Sequence, residues 1–156
     1  MKITDILTED MIRTNVPDKG KTEVINSLIE IVSHRDKVHD KEKVREAIFE
    51  REKIMSTGVG NGFAIPHGKT DAVTDIVGAF ATTADPIDYQ SLDEQPVRIV
   101  LLLVGPETMV GQHIKLLSRI SRLMNKEDFR KRLVQAESPS KVFEIFRTEE
   151  SAYCEA

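Results

Sequence analysis

The stretch Val97-Arg98-Ile99-Val100-Leu101-Leu102-Leu103-Val104 constrains the fold more than any other part of the chain. It is nearly continuous in apolar side chains and lies between Gln95-Pro96 and Gly105-Pro106. Side chains along a strand alternate between two faces, so a strand that is apolar at successive positions must be covered on both. Its longest unbroken part, Ile99 to Val104, is far short of the roughly 18 apolar residues of a membrane span. The chain therefore has to supply a packing layer for each face of a sheet with this strand at its centre.

The flanking segments supply those layers. Residues 1–16 read as a turn or short helix, then a short strand ending near Val16-Pro17. From Thr22 to His34, Val24, Ile25, Leu28, Ile29 and Val32 fall at helical spacing on one face. Asp40 caps a second helix running to about Lys53, with Val44, Ala47, Ile48 and Ile54 inward. On spacing alone its charged residues, Arg51 and Glu52 among them, read as a solvated face. Phe63–Ile65, Ile76–Ala81 and Ile87–Tyr89 are strand candidates, with turn signals at Asp85-Pro86 and Asp93 to Pro96. A helix over 110–124 turns Val110, Ile114, Leu117, Ile120, Leu123 and Met124 inward. Asn125 caps the next helix, and Ser138-Pro139 starts the last, with Val142, Ile145 and Phe146 inward. From Glu149 the end reads as frayed. Short central links favour hairpins, so the expected fold is α+β: a three-layer α/β/α domain over residues 1–150 with a mixed sheet, and a flexible tail over 151–156.

Bulk properties narrow the function. A net charge of −4 argues against a nucleic-acid binder. The single cysteine, Cys154, cannot form an internal disulfide, and Met1-Lys2-Ile3-Thr4-Asp5 lacks a signal peptide's apolar core, so a cytoplasmic protein is expected. The histidines His34, His39, His67 and His113 form no close ligand pair and no HExxH-type motif, so no metal is expected.

The chemistry concentrates in residues 56–70, Ser56-Thr57-Gly58-Val59-Gly60-Asn61-Gly62-Phe63-Ala64-Ile65-Pro66-His67-Gly68-Lys69-Thr70. Glycines 58, 60 and 62 imitate a dinucleotide fingerprint, but the third comes one place early and the segment runs on into Phe63-Ala64-Ile65-Pro66 rather than a helix. Gly68-Lys69-Thr70 imitates the end of a P-loop, but Phe63 stands where that motif needs glycine. What remains is a flexible loop, a brief strand and a histidine presented at the strand's end. A phosphoryl-accepting histidine needs a neutral ring with one nitrogen held by a hydrogen bond and the other free to attack. Glycine-rich backbone, a guanidinium or a second imidazole can then steady the charge of the transferred group. His67 fits that role, with Pro66 fixing the chain before it and Gly68 leaving room for a partner.

Arg51, Ser56-Thr57-Gly58-Val59-Gly60, Ala64-Ile65-Pro66-His67-Gly68 and His113 together resemble the mannitol/fructose-type IIA domain of the bacterial phosphoenolpyruvate-dependent phosphotransferase system, a family that includes the nitrogen-regulatory IIA proteins. The resemblance covers roughly residues 3–148. It implies that His67 is phosphorylated at Nε2 by the phosphocarrier HPr and passes the group to a cysteine on a IIB domain or protein. It implies that His113 is a second active-site histidine supporting the phosphoryl group, and that Arg51 pairs with that group. Ser56, Thr57, Gly58, Gly60 and Gly68 would form the phosphoryl loop. Lys69 follows the motif and could add charge for docking or phosphate. No cofactor is implied, and contact with a membrane would be indirect, through a permease complex. Phe63 departs from the smaller aliphatic residue often found there, while keeping the hydrophobic role. Cys154 has no anion-binding loop around it and does not match the IIB cysteine; no IIB or membrane domain is expected in the chain, and sugar specificity would lie with the partners. The alternative output is regulatory: the same phosphorylation, read by target proteins rather than passed on.

Overall fold

A computed structural model of the chain describes residues 1–58 and 60–155, with side chains described as far as residue 152. Val59 in the glycine loop, the side chain of Cys154, and Ala156 at the end of the expected tail lie outside the described residues.

The elements run α1 (Ile3–Ile6), β1 (Ile12–Val16), α2 (Lys21–Val32), α3 (Lys41–Ile54), β2 (Phe63–Ala64), β3 (His67–Lys69), β4 (Val77–Ile87), β5 (Val97–Gly105), α4 (Val110–Met124), α5 (Glu127–Gln135) and α6 (Pro139–Glu155), with single 3₁₀ turns before β1 and α4. The sheet order is β1-β4-β5-β2, and β3 also pairs with β5. β5 pairs antiparallel with β4 and parallel with β2 and β3, and β1 runs parallel to β4, so the sheet is mixed as expected.

β5 occupies the central place its apolar run demands. Ile99, Leu101 and Leu103 join one core with α1, α4, α5 and α6, while Val100, Leu102 and Val104 join a second core with α2 and α3. All five apolar residues of the α2 face are fully buried. Removing such a side chain from water is worth about 1.5–3 kcal/mol, so this packing, more than helix propensity, holds α2 on the sheet. Asp40 caps α3, its carboxylate accepting the N–H groups of Glu42 and Lys43. Among the described residues no helix is long and apolar enough to cross a membrane.

Several expectations change. β4 runs straight through Asp85-Pro86. The turn signal appears instead as an irregularity, where pairing with β5 jumps from Thr82↔Ile99 to Ile87↔Val97 and Ala84, Asp85 and Pro86 stand exposed. A proline is tolerated there because no ladder N–H is required of it. Asn125 is not the cap of α5. It closes α4 in a helical conformation, donating its N–H to Ser121 at 3.0 Å, and so cannot adopt the extended backbone of an N-cap; Lys126 takes that place. Ile54 and Ile114, both expected inward, are exposed, because α3 turns Val44 and Ile48 into the core and α4 turns His113 and Leu116.

The last helix passes Glu149, where fraying was expected, and continues to Glu155. Glu149 pairs with Arg132 and, at 3.5 Å, with Lys126. Glu150 is buried, accepting the N–H groups of Ile3 and Thr4 and the Thr4 hydroxyl, with Arg119 3.5 Å away. It thereby satisfies the first turn of α1 from the opposite end of the chain. Glu150→Ala strands those buried donors, so it is expected to cost about 2–3 kcal/mol, read as a lower denaturant midpoint at unchanged slope.

Candidate active site around His67 and His113

β2 and β3 are two short pieces of one sheet edge, both paired with β5 and separated by Ile65-Pro66. Proline interrupts the ladder, since it has no N–H to give, and its carbonyl still accepts the N–H of Leu103 at 3.0 Å. His67 opens β3 opposite Leu103, at the end of β5 that leads into α4. Gly68 follows because β3 runs hard against α3: a Cβ there would lie 3.1 Å from the backbone of Ala47.

The His67 ring is half-buried, and its Nδ1 lies 2.8 Å from the carbonyl oxygen of Ile65. A carbonyl only accepts, so Nδ1 carries the proton and Nε2 carries the lone pair. Burial pushes the ring's pKa below its usual value, the hydrogen bond to Ile65 opposes that, and the charge of Arg51 adds to it. Neutral imidazole is therefore the resting form near pH 7.

His113 comes from the first turns of α4, and its ring centroid lies 6.0 Å from that of His67, with the planes inclined at 61°. It is only 2% exposed, and neither ring nitrogen hydrogen-bonds to the described protein atoms. Burial, then the charges of His67 and Lys69, push its pKa down to about 4. Gly105 makes room for the ring: a Cβ there would sit 3.1 Å from His113 Nδ1 and 2.9 Å from Ile76.

Arg51, in the last turn of α3, lines the same pocket of about 380 Å³ as His67, Gly68, Lys69, Glu107 and His113. The Met55 carbonyl takes one of its five N–H donors, at 2.9 Å. The structure thus gathers Arg51, His67, Gly68 and His113 from three separate stretches of sequence. Ser56, Thr57, Gly58 and Gly60 do not line this pocket. Thr57 is buried under the end of α3, the Ser56 hydroxyl accepts the N–H of Gly58, and Gly58 packs against Ser91 and Tyr89.

Sequence reasoning missed two residues. Gly105 carries only a strand-end signal, and nothing local ties it to His113. Spacing along α3 puts Glu52 on a solvated face, yet its side chain is 5% exposed, ion-paired with Lys21 at 2.9 Å and hydrogen-bonded to Thr57. Its partners come from distant segments, which helical periodicity cannot reveal.

Two neutral imidazoles, one of them with its Nε2 lone pair free, and two cations set against the single carboxylate of Glu107 around one open pocket are suited to receiving a compact dianion. Comparison with known proteins points the same way. Residues 5–149 match the family described as phosphoenolpyruvate-dependent sugar phosphotransferase system, EIIA 2. The fructose-specific EIIABC component of Bacillus subtilis is 39% identical over 145 residues, covering 93% of this chain but only 23% of that longer protein. The fructose-specific EIIA component of Haloferax volcanii is 34% identical, covering 93% of this chain and 96% of its own length. The crystal structure of the nitrogen regulatory protein IIA-Ntr from Neisseria meningitidis superposes with a TM-score of 0.87 at 30% identity, over 92% of this chain and 98% of that one. The chain belongs to the EIIA 2 family of the phosphoenolpyruvate-dependent sugar phosphotransferase system.

Proposed function

We propose that this chain is a phosphoryl carrier in which His67 Nε2 accepts the group from an HPr-type phosphocarrier and passes it to the cysteine of a IIB domain or protein. The observation that carries this reading is the hydrogen bond from His67 Nδ1–H to the Ile65 carbonyl, which leaves the lone pair on Nε2 of a ring whose centroid lies 6.0 Å from that of His113. In the first step the N–P bond of the donor breaks as the Nε2–P bond forms, and Nδ1 keeps its proton throughout. In the second a cysteine thiolate attacks phosphorus, an S–P bond forms, and His67 is released neutral. Arg51 and Lys69 offset the charge of the group, and His113 donates one N–H to its oxygens. The chain needs no metal or cofactor for these steps, and the identity of the IIB partner sets the sugar. Ser56, Thr57, Gly58 and Gly60 act by holding the loop that positions Ile65.

The IIB acceptor is supported by the Bacillus relative, whose name joins A, B and C components. A second reading is favoured by the likeness to the Neisseria IIA-Ntr structure: a regulatory protein whose phosphorylation at His67 changes what it binds. Both readings share the first step, and the acceptor separates them. Incubation with phosphoenolpyruvate, enzyme I and HPr is expected to add one acid-labile phosphate, read by intact mass. A fructose-type IIB protein then removes it if the chain serves transport, whereas the phosphate persists if the output is regulatory. No phosphate on the folded protein, beside a competent IIA control, removes the carrier reading.

A further inference from the structure

We propose that Glu52 is a positioning residue for phosphoryl acceptance, acting on His67 through Thr57 and Ile65; this rests on the assignment of His67 as the acceptor. Glu52 follows Arg51 in sequence, but it is buried and does not line the pocket that Arg51 shares with His67. It holds Thr57 twice, accepting the N–H at 3.0 Å and the hydroxyl at 2.7 Å. The hydroxyl has one proton, already given to Glu52, so the Tyr89 phenol 3.0 Å away must be the donor to Thr57 Oγ1. Burial and the Glu52 charge both keep that phenol protonated. Lys21, 2.9 Å from the carboxylate, completes the cluster.

The pinned residue is linked to the nucleophile by two further bonds. The Thr57 carbonyl accepts the N–H of Ile65 at 3.2 Å, and the Ile65 carbonyl accepts Nδ1–H of His67 at 2.8 Å. The relay therefore runs from a fixed carboxylate to the atom that decides which ring nitrogen carries the lone pair. Free imidazole in a histidine side chain prefers its proton on Nε2, the form that cannot attack from Nε2. The Ile65 carbonyl reverses that preference only while it stays in place. A buried ion pair adds little net stability over an apolar substitute. What Glu52 and Lys21 provide that an apolar pair would not is a directional hold on both the N–H and the hydroxyl of Thr57.

The test uses the unphosphorylated full chain and two readouts. Long-range ¹H–¹⁵N correlation of the imidazole rings reports the His67 tautomer, and the rate of acceptance from phospho-HPr reports the reaction. Wild type is expected to show Nδ1–H alone. Glu52→Ala is expected to show a mixture with the Nε2–H form and acceptance slowed about 10- to 100-fold, the range typical of a misplaced reactive group. Glu52→Gln keeps one acceptor oxygen for Thr57 and should recover part of both. Should Glu52→Ala fail to fold, Thr57→Val removes the hydroxyl donor alone and should move both readouts in the same direction by less. A wild-type tautomer and rate in folded Glu52→Ala, or in Thr57→Val where that variant stands in, would overturn the positioning role alone. A wild type that takes no phosphate overturns the acceptor assignment and, with it, the reaction that Glu52 is said to serve.

Discussion

His67→Ala is expected to take no phosphoryl group from phospho-HPr, a loss of at least about 10⁴-fold that brings the reaction below detection. The size of the effect follows from the absence of a second accessible imidazole among the described groups of the pocket. His113 is the nearest imidazole, but it is only 2% exposed, so a partner protein cannot bring phosphorus in line with its nitrogens. A guanidinium and an ammonium, the side chains of Arg51 and Lys69, offer donors and no acceptor lone pair. The fold should survive, because His67 is only half-buried and its loss removes a single side-chain hydrogen bond, worth about 1 kcal/mol. His67→Asn sharpens the test: its amide N–H can still reach toward the Ile65 carbonyl while Nε2 is gone. Intact mass after incubation with enzyme I, HPr and phosphoenolpyruvate reads both variants, with circular dichroism confirming the fold. Phosphate on either folded variant would place the acceptor elsewhere.

The layered fold was legible because its main determinants are local. The apolar run of β5 demands cover on both faces, and the α2 periodicity and the Asp40 cap are each contained in one segment. The Ile-Pro-His-Gly stretch could be read as a strand end presenting a histidine for the same reason. Most of what failed depended on partners far away in sequence. Hydropathy ranks Ile114 above His113 for burial, yet α4 turns the histidine inward, where Gly105 leaves space for its ring, and leaves the isoleucine exposed. Glu52 looks like one more charge in a charged run, since Lys21, Thr57 and Tyr89 are brought to it only by the packed fold. The division of β2 from β3 could not be read either, because it depends on both pieces pairing with the same side of β5.

The second large effect concerns His113, whose removal is expected to improve the fold while impairing the reaction. Its pKa is about 4 in the folded chain and near 6.5 once exposed by unfolding. Above pH 6.5 the group is neutral in both states and adds no pH dependence. Between about pH 6.5 and 4 the unfolded chain binds a proton that the folded chain does not, so stability falls as the pH drops. The loss approaches about 3 kcal/mol and levels off below the folded pKa. His67, also depressed by burial, contributes with the same sign. His113→Leu removes the larger part of this slope and replaces two buried nitrogens that have no partner among the described residues with apolar surface, so at pH 7 the variant should be at least as stable as wild type. Denaturant melts across pH 4–8 check both statements. Function should move the other way. In the proposed cycle His67 attacks as a neutral imidazole when it accepts, whereas the IIB cysteine attacks as an anion, which must approach an already anionic phosphoryl group. A donor beside the phosphoryl oxygens therefore matters more for the second step. His113→Ala, which should also fold, is expected to slow transfer to a IIB protein by about 10²-fold and acceptance from HPr by less, as single-turnover rates would show. Unchanged rates in both directions would remove His113 from the mechanism and leave its burial without a catalytic purpose.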